Sequence, residues 1–447
     1  MPSSSSDSAP RILALDVGTS LVKAAVLNVA DGRPMGPVAQ VPYQLDQPTP
    51  EAAEVPAERI WGAVVAAARH VTASGGDLAG IGLACMTPAL VLLDAADRPL
   101  GPIWTHLDRR SRPAARQVWA AVGPEFLATV GNRPLPGGIS VIAYRQQLTL
   151  NPYLVRRVRR YLHLNSWLGL KMTGECGFDP ANASFSGLYH TVTDHVWSAR
   201  WCDYFQVDPD WLPRVVAGDE TLGKLRPAAA AEFGLPAGLP VKLGTADISS
   251  AMLAVGMRPG DLLHVVGTTQ VLAGLTATPR PDPQRLTRLH GVGSLYVEVT
   301  HNPVGGAALN WLHRLCFQDQ SEDEFFGRTM AAALERTTRV VLDPPYLGGD
   351  RLEIEAHRAA FRDLTLATDR LDLLAAVLEA MRRCHRRCLA QLGLGRQVGR
   401  VFLTGGAASV VRRLLPEYHG GRVDCVEEGS LRGVARLFAS PAGGSGP

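Results

Sequence analysis

The sequence predicts an α/β protein of two or three domains, and three observations carry that prediction. The chain has 447 residues, 46% of them hydrophobic, enough for a large core and more than one domain. Short apolar runs bounded by Gly turns share the chain with stretches of helical periodicity. A pattern of strand, glycine turn and strand near the amino terminus recurs in the second half.

After a polar tail over residues 1–10, Ile12-Leu13-Ala14-Leu15 reads as a strand entering Asp16-Val17-Gly18-Thr19-Ser20, with Leu21 to Leu27 as the return strand. Asp31-Gly32 marks a turn, and Val38 to Leu45 supplies a third strand of an antiparallel meander. A helix is expected over Ala57 to Val71, then strands at Ile81-Gly82-Leu83 and Leu90 to Leu93. Between Ser111 and Leu212 helical stretches mix with Pro and Gly turns. There Val155, Val158, Tyr161 and Leu162 interleave with Arg156, Arg157, Arg159 and Arg160 as an amphipathic helix.

The turn from Pro236 to Pro240 places the domain crossing, giving an amino-terminal domain over 11–240 and a carboxy-terminal domain over 241–440. Leu262 to Ala273, with Gly267-Thr268-Thr269 at its centre, then repeats the opening hairpin. Leu371, Leu374, Val377, Leu378, Met381, Cys384 and Leu389 mark a long helix. Val401 to Thr404 is a buried strand delivered into Gly405-Gly406-Ala407-Ala408.

Composition excludes several classes. Gly and Pro number 45 and 32, below a low-complexity signature, and a net charge of +3 argues for no polyanionic partner. No apolar run has the length of a membrane span and the first residues lack a secretory pattern, so a soluble, cytoplasmic chain is expected. Seven scattered cysteines argue against a disulfide framework, and Cys384 and Cys388 fall on the apolar face of a helix rather than in a zinc site. The arginine clusters read as solvated or carboxylate-facing helix surface, with no nucleic acid implied.

A Gly followed by two hydroxyl residues leaves backbone N–H groups open and sets O–H donors beside them, which suits a phosphate. Asp16 and Asp247 each follow an apolar run, where a carboxylate reaches a cleft at a strand end. Phosphoryl transfer needs such positioning, a metal and a group to take the hydroxyl proton. Taken singly, each Asp reads as a turn or cap residue. No Gly-x4-Gly-Lys-Ser/Thr occurs, so a P-loop nucleotidase is excluded by motif.

Together these residues resemble the FGGY carbohydrate kinases of the actin–hexokinase superfamily, from Arg11 to about Phe438. Asp16-Val17-Gly18-Thr19-Ser20 with Lys23 is similar to the family's first phosphate turn, and Gly267-Thr268-Thr269 to its second. Gly244-Thr245-Ala246-Asp247 resembles the segment carrying the catalytic base, and Gly405-Gly406-Ala407-Ala408 the adenosine segment. Trp104 to Ser111 resembles the substrate-side Asp-x-Arg segment, which sets Trp104, Asp108 and Arg110 near the sugar.

The resemblance implies an α/β, two-domain, ribonuclease-H-like fold with an interdomain active-site cleft, ATP as co-substrate, Mg²⁺ near Asp16 through water, Asp247 as base, and a small sugar as acceptor. Xylulokinases read Gln-Met-His-Gly where this chain has Met86-Thr87-Pro88-Ala89, so Met86 and Thr87 fall on the sugar side with altered chemistry. Ile248 and Ala246 also depart from the family pattern. Xylulose is the expected sugar; ribulose, sedoheptulose or glycerol kinases, and a non-catalytic sugar sensor of the same fold, are the alternatives. The sequence leaves the assembly state open, a homodimer included.

Overall fold

β1 (Arg11–Val17) and β2 (Leu21–Asn28) form the hairpin expected around Gly18, with Asp16 opposite Lys23 and Val17 opposite Val22. This arrangement is seen in a computed structural model that describes residues 10–73, 75–394, 398–406, 408 and 423–439. Of the polar tail expected over residues 1–10, all but Pro10 lies outside the described residues, as does Ala407 of the adenosine segment. The chain divides into two compact units: 1–257 with 288–296 and 428–447, and 258–287 with 297–427.

In the first unit β3 (Ala39–Pro42) pairs with β2, and β4 (Glu54–Val55) precedes the helix α1 (Ala57–Thr72). There follow β5 (Gly80–Cys85), β6 (Ala89–Leu93), β7 (Ile103–Thr105), β8 (Arg160–His163), β9 (Thr221–Lys224) and β10 (Pro240–Ala246). One sheet has the order β3-β2-β1-β5-β10-β9, and a smaller one β4-β7-β6-β8. β5 runs parallel to both β1 and β10 and is buried along its whole length, which accounts for its unbroken small and apolar sequence. Gly80 and Gly82 are required here: a Cβ at either would stand 2.6 Å from Phe438 or Val434 of the carboxy-terminal segment.

In the second unit β11 (Leu262–Val266) and β12 (Gln270–Thr276) form the second expected hairpin; β13 (Leu286–Leu289) and β14 (Tyr296–Asn302) follow, with Arg288, Leu289 and Tyr296 counted in the first unit. β15 (Val341–Leu342) and β16 (Phe361–Arg362) pair alone, and β17 (Val401–Thr404) and β18 (Val423–Cys425) complete the order β13-β14-β12-β11-β17-β18. A central strand with an antiparallel hairpin partner on one side and a parallel neighbour on the other thus recurs in both units. The long helix spans Arg370–Gln391, started by a capping box between Asp369 and Asp372, and packs its apolar stripe into the second unit's core.

Two expectations are corrected. The crossing lies after Met257, not at 240/241, because Val241 to Ala246 is β10 and hydrogen-bonds to β5; Asp247 therefore belongs to the first unit. The amphipathic helix over 155–162 is one turn, Leu154–Arg157, and Arg160 already begins β8, where pairing with Leu90 to Leu93 outweighs the helical pattern. Among the described residues no helix is long and apolar enough to cross a membrane.

Candidate active site

Three neighbouring parallel strands of the first unit deliver their carboxyl ends to one edge of the sheet, where ligands of open α/β sheets bind. β1 carries Asp16 one residue before its end at Val17 and leads into the Gly18 turn, β5 runs on into Met86 and Thr87, and β10 runs into Asp247. Asp247 opens the helix Asp247–Ala254, whose N-terminus favours its negative charge, and its Oδ1 accepts the Ile248 N–H at 2.7 Å.

Asp16 is 8% exposed, and its Oδ2 accepts a short hydrogen bond from the Ser430 hydroxyl. Burial pushes its pKa up to about 7, with the charge of Asp247 adding to the effect while Ser430 and Lys23 oppose it. Lys23 Nζ lies 2.7 Å from Glu428 Oε2, so its ammonium is paired within this unit. Among the described residues no group of three or more His, Cys, Asp or Glu could hold a metal unaided. Mg²⁺ on a nucleotide takes one or two carboxylates plus phosphates, and a carboxylate disfavoured in its charged form first by burial and further by Asp247 suits that cation.

The Gly18 turn is held from behind by a residue the sequence did not single out. Tyr43 donates its N–H to Ser20 O at 2.9 Å and its hydroxyl to Gly18 O, which occupies the turn's carbonyls. Thr19 is half-buried and Ser20 exposed. In the second unit the helix Gly306–Cys316 performs this service, Gly306 N–H reaching Gly267 O at 3.0 Å and Ala307 N–H reaching Thr268 O at 3.3 Å. Gly305 is needed for that approach, since a Cβ there would stand 2.6 Å from Thr268 O. Thr268 is exposed and Thr269 buried. Gly405 adopts φ +105°, and a Cβ would meet Val266 O at 2.2 Å; Gly406 beside it is exposed and open. Ala408 donates its N–H to Gly405 O at 3.1 Å.

On the expected sugar side, Met86 is buried, while Thr87 donates to Asn182 Oδ1 at 2.6 Å. Asn182 in turn donates Nδ2 to Asp179 Oδ2 at 2.6 Å, which fixes the amide and makes its oxygen the acceptor for both Thr87 and His163 Nδ1. His163 is neutral, burial lowering its pKa to about 4, and its Nε2 accepts from Ser140, which accepts from Tyr161. Arg288, fully buried, donates to Ser249; desolvation draws its pKa down to about 10 against the opposing charges of Asp247 and Asp179.

Arg110 joins Trp104 and Asp108 in one cluster at β7, which pairs with β6 through Ala89 opposite Thr105. Arg110 lies 3.8 Å from the Trp104 ring centre and pairs with Asp108 and Glu54, while Asp108 also accepts the Ala53 N–H at 3.0 Å. One face of the indole is therefore covered by the guanidinium. Of the histidines, His190 bonds Ser198 and His195 bonds Tyr296.

The model of the FGGY family of carbohydrate kinases, N-terminal domain, matches residues 11–254, and that of the C-terminal domain matches residues 262–437. The chain is 28% identical over 446 residues to the L-xylulose/3-keto-L-gulonate kinase of Escherichia coli (strain K12), covering 95% of this chain and 86% of the relative. It is 26% identical over 417 residues to the erythritol kinase of Brucella abortus (strain 2308), covering 81% and 75% respectively. Among solved structures, the xylulose kinase from Rhodospirillum rubrum is similar with a TM-score of 0.85 at 26% identity, covering 98% of this chain and 91% of that one.

Proposed function

The chain belongs to the FGGY family of carbohydrate kinases, and from that premise we propose that it phosphorylates a hydroxyl of a ketose such as D-xylulose, with Asp247 as general base. ATP-dependent phosphorylation of a sugar is the family's activity. The observation that carries the finer reading is the pair Asp16 and Asp247, one at the end of each strand flanking β5, with mutually acting charges.

In this reading Asp247 accepts the proton of the attacking hydroxyl as the oxygen meets the γ-phosphorus. Thr19, Ser20, Thr268 and Thr269 donate to phosphate oxygens as charge develops, on turns that Gly18 and Gly267 close with their own N–H groups on Leu21 O and Thr269 O. Lys23 adds positive charge behind the first turn. Gly405, Gly406, Ala407 and Ala408 receive the adenosine. Mg²⁺ held by Asp16 through water would neutralise charge on the transferring group. Met86, Thr87, Trp104, Asp108 and Arg110 form the sugar side, where Thr87, its own proton committed to Asn182, can only accept from a substrate hydroxyl.

Incubating the purified protein with ATP, Mg²⁺ and a panel of ketoses, polyols and aldonates while following ADP tests the reading. Ketose-dependent ADP release is expected. Release with only a polyol or an aldonate would replace the sugar, and sugar binding without release would favour a non-catalytic sensor.

A further inference from the structure

The last described helix, Gly429–Arg436, lies in the first unit although the segment before it, 297–427, belongs to the second. It packs on the helix Asp247–Ala254 so closely that a Cβ at Gly433 would stand 1.7 Å from Ser250 O. Ser430 sits in its first turn and makes two bonds in opposite directions. Its carbonyl accepts the Ser250 hydroxyl at 2.6 Å, and its own hydroxyl donates to Asp16 Oδ2. One residue thus ties the helix that begins with Asp247 to Asp16 near the carboxyl end of β1. The flanking Glu428, in a left-handed conformation at φ +50°, holds Lys23, the residue opposite Asp16 in the hairpin register. Farther along, Lys242 of β10 donates to Leu437 O at 2.8 Å.

We propose that Ser430 is a positioning residue for phosphoryl transfer: it fixes the direction of the Asp16 carboxylate relative to Asp247, so that the helix Gly429–Arg436 completes the reacting site. The inference rests on the reading that Asp16 and Asp247 serve the transfer. A carboxylate free to rotate in its buried site would spend part of its time misdirected, and errors of an ångström at a reacting centre are costly in rate. The hydroxyl is the group that matters, because the Ser430 carbonyl bond to Ser250 survives loss of the side chain.

The test measures kcat and KM for unmodified protein, Ser430→Ala, Ser430→Thr, Asp16→Asn and the double variant Ser430→Ala with Asp16→Asn. The assay uses the sugar giving the fastest ADP release from the panel, and thermal melting is followed alongside. The expected result is a fall in kcat of roughly ten- to a hundredfold for Ser430→Ala at nearly constant sugar KM. Ser430→Thr should recover most of it, and Ser430→Ala should cost nothing further in the Asp16→Asn background. Unchanged kcat in Ser430→Ala while Asp16→Asn is inactive overturns this inference and spares the underlying reading. Full activity of Asp16→Asn, or no sugar-dependent release by unmodified protein, overturns both. A loss in kcat that tracks a lowered melting temperature, unrescued by threonine, also counts against it.

Discussion

Lys23 Nζ stands 2.7 Å from Glu428 Oε2 across 405 positions of sequence, with about a quarter of each side chain open to solvent. Water still reaches both groups of this half-buried pair, which screens its attraction. Glu428→Gln and Lys23→Met should each lower the unfolding free energy by less than about 1 kcal/mol, and their coupling in a double-mutant cycle should shrink as salt is raised. Thermal melts at low and high ionic strength check this.

Gly244 is the opposite case. It adopts φ +64° within β10, and a Cβ there would lie 1.6 Å from the Leu83 carbonyl oxygen of β5. Neither the left-handed backbone nor the strand contact tolerates a methyl group, so Gly244→Ala should destabilise by at least about 2 kcal/mol. Gly256→Ala is the control, since its φ of +55° carries the backbone cost but nothing lies within 4 Å of its Cβ. A smaller drop in melting temperature for Gly256→Ala than for Gly244→Ala is the expected order.

His163 gives the first unit a pH dependence of known sign. Burial lowers its folded-state pKa to about 4 from 6.5, so between those values the unfolded chain binds a proton that the folded chain refuses. Its contribution is fully present above pH 6.5 and is lost as pH falls toward 4, by at most about 3 kcal/mol. His290, also held neutral with a pKa near 4, acts in the same direction; Asp16, raised to about 7, acts in the other, its contribution fading as pH rises from 3.8 to 7. Denaturant titrations between pH 4.5 and 6.5 should therefore give a shallower rise in stability for His163→Gln than for unmodified protein.

Much of the fold is local and could be read. Both hairpins announce themselves within a dozen residues, as apolar runs on either side of Gly18 and Gly267, and the Arg370–Gln391 helix repeats its apolar positions at helical spacing. What could not be read is pairing at a distance. β10 belongs to the first sheet because it bonds to β5, and no composition shift at Pro240 records that. Arg160 leaves its helical pattern because Leu93 offers a strand partner. Tyr43 and Ser430 serve the candidate site from just past β3 and from the helix Gly429–Arg436, with no motif to mark either. The Asp16 and Asp247 positions were legible because each ends an apolar strand.

The most direct measurement of the central claim is the yield of sugar phosphate, followed by mass spectrometry with ATP, Mg²⁺ and D-xylulose, for unmodified protein and Asp247→Ala. The account predicts sugar phosphate from the unmodified protein and a turnover 10²–10⁴-fold lower in the variant, with ATP affinity nearly unchanged. Sugar phosphate formed by Asp247→Ala at the unmodified rate would contradict it.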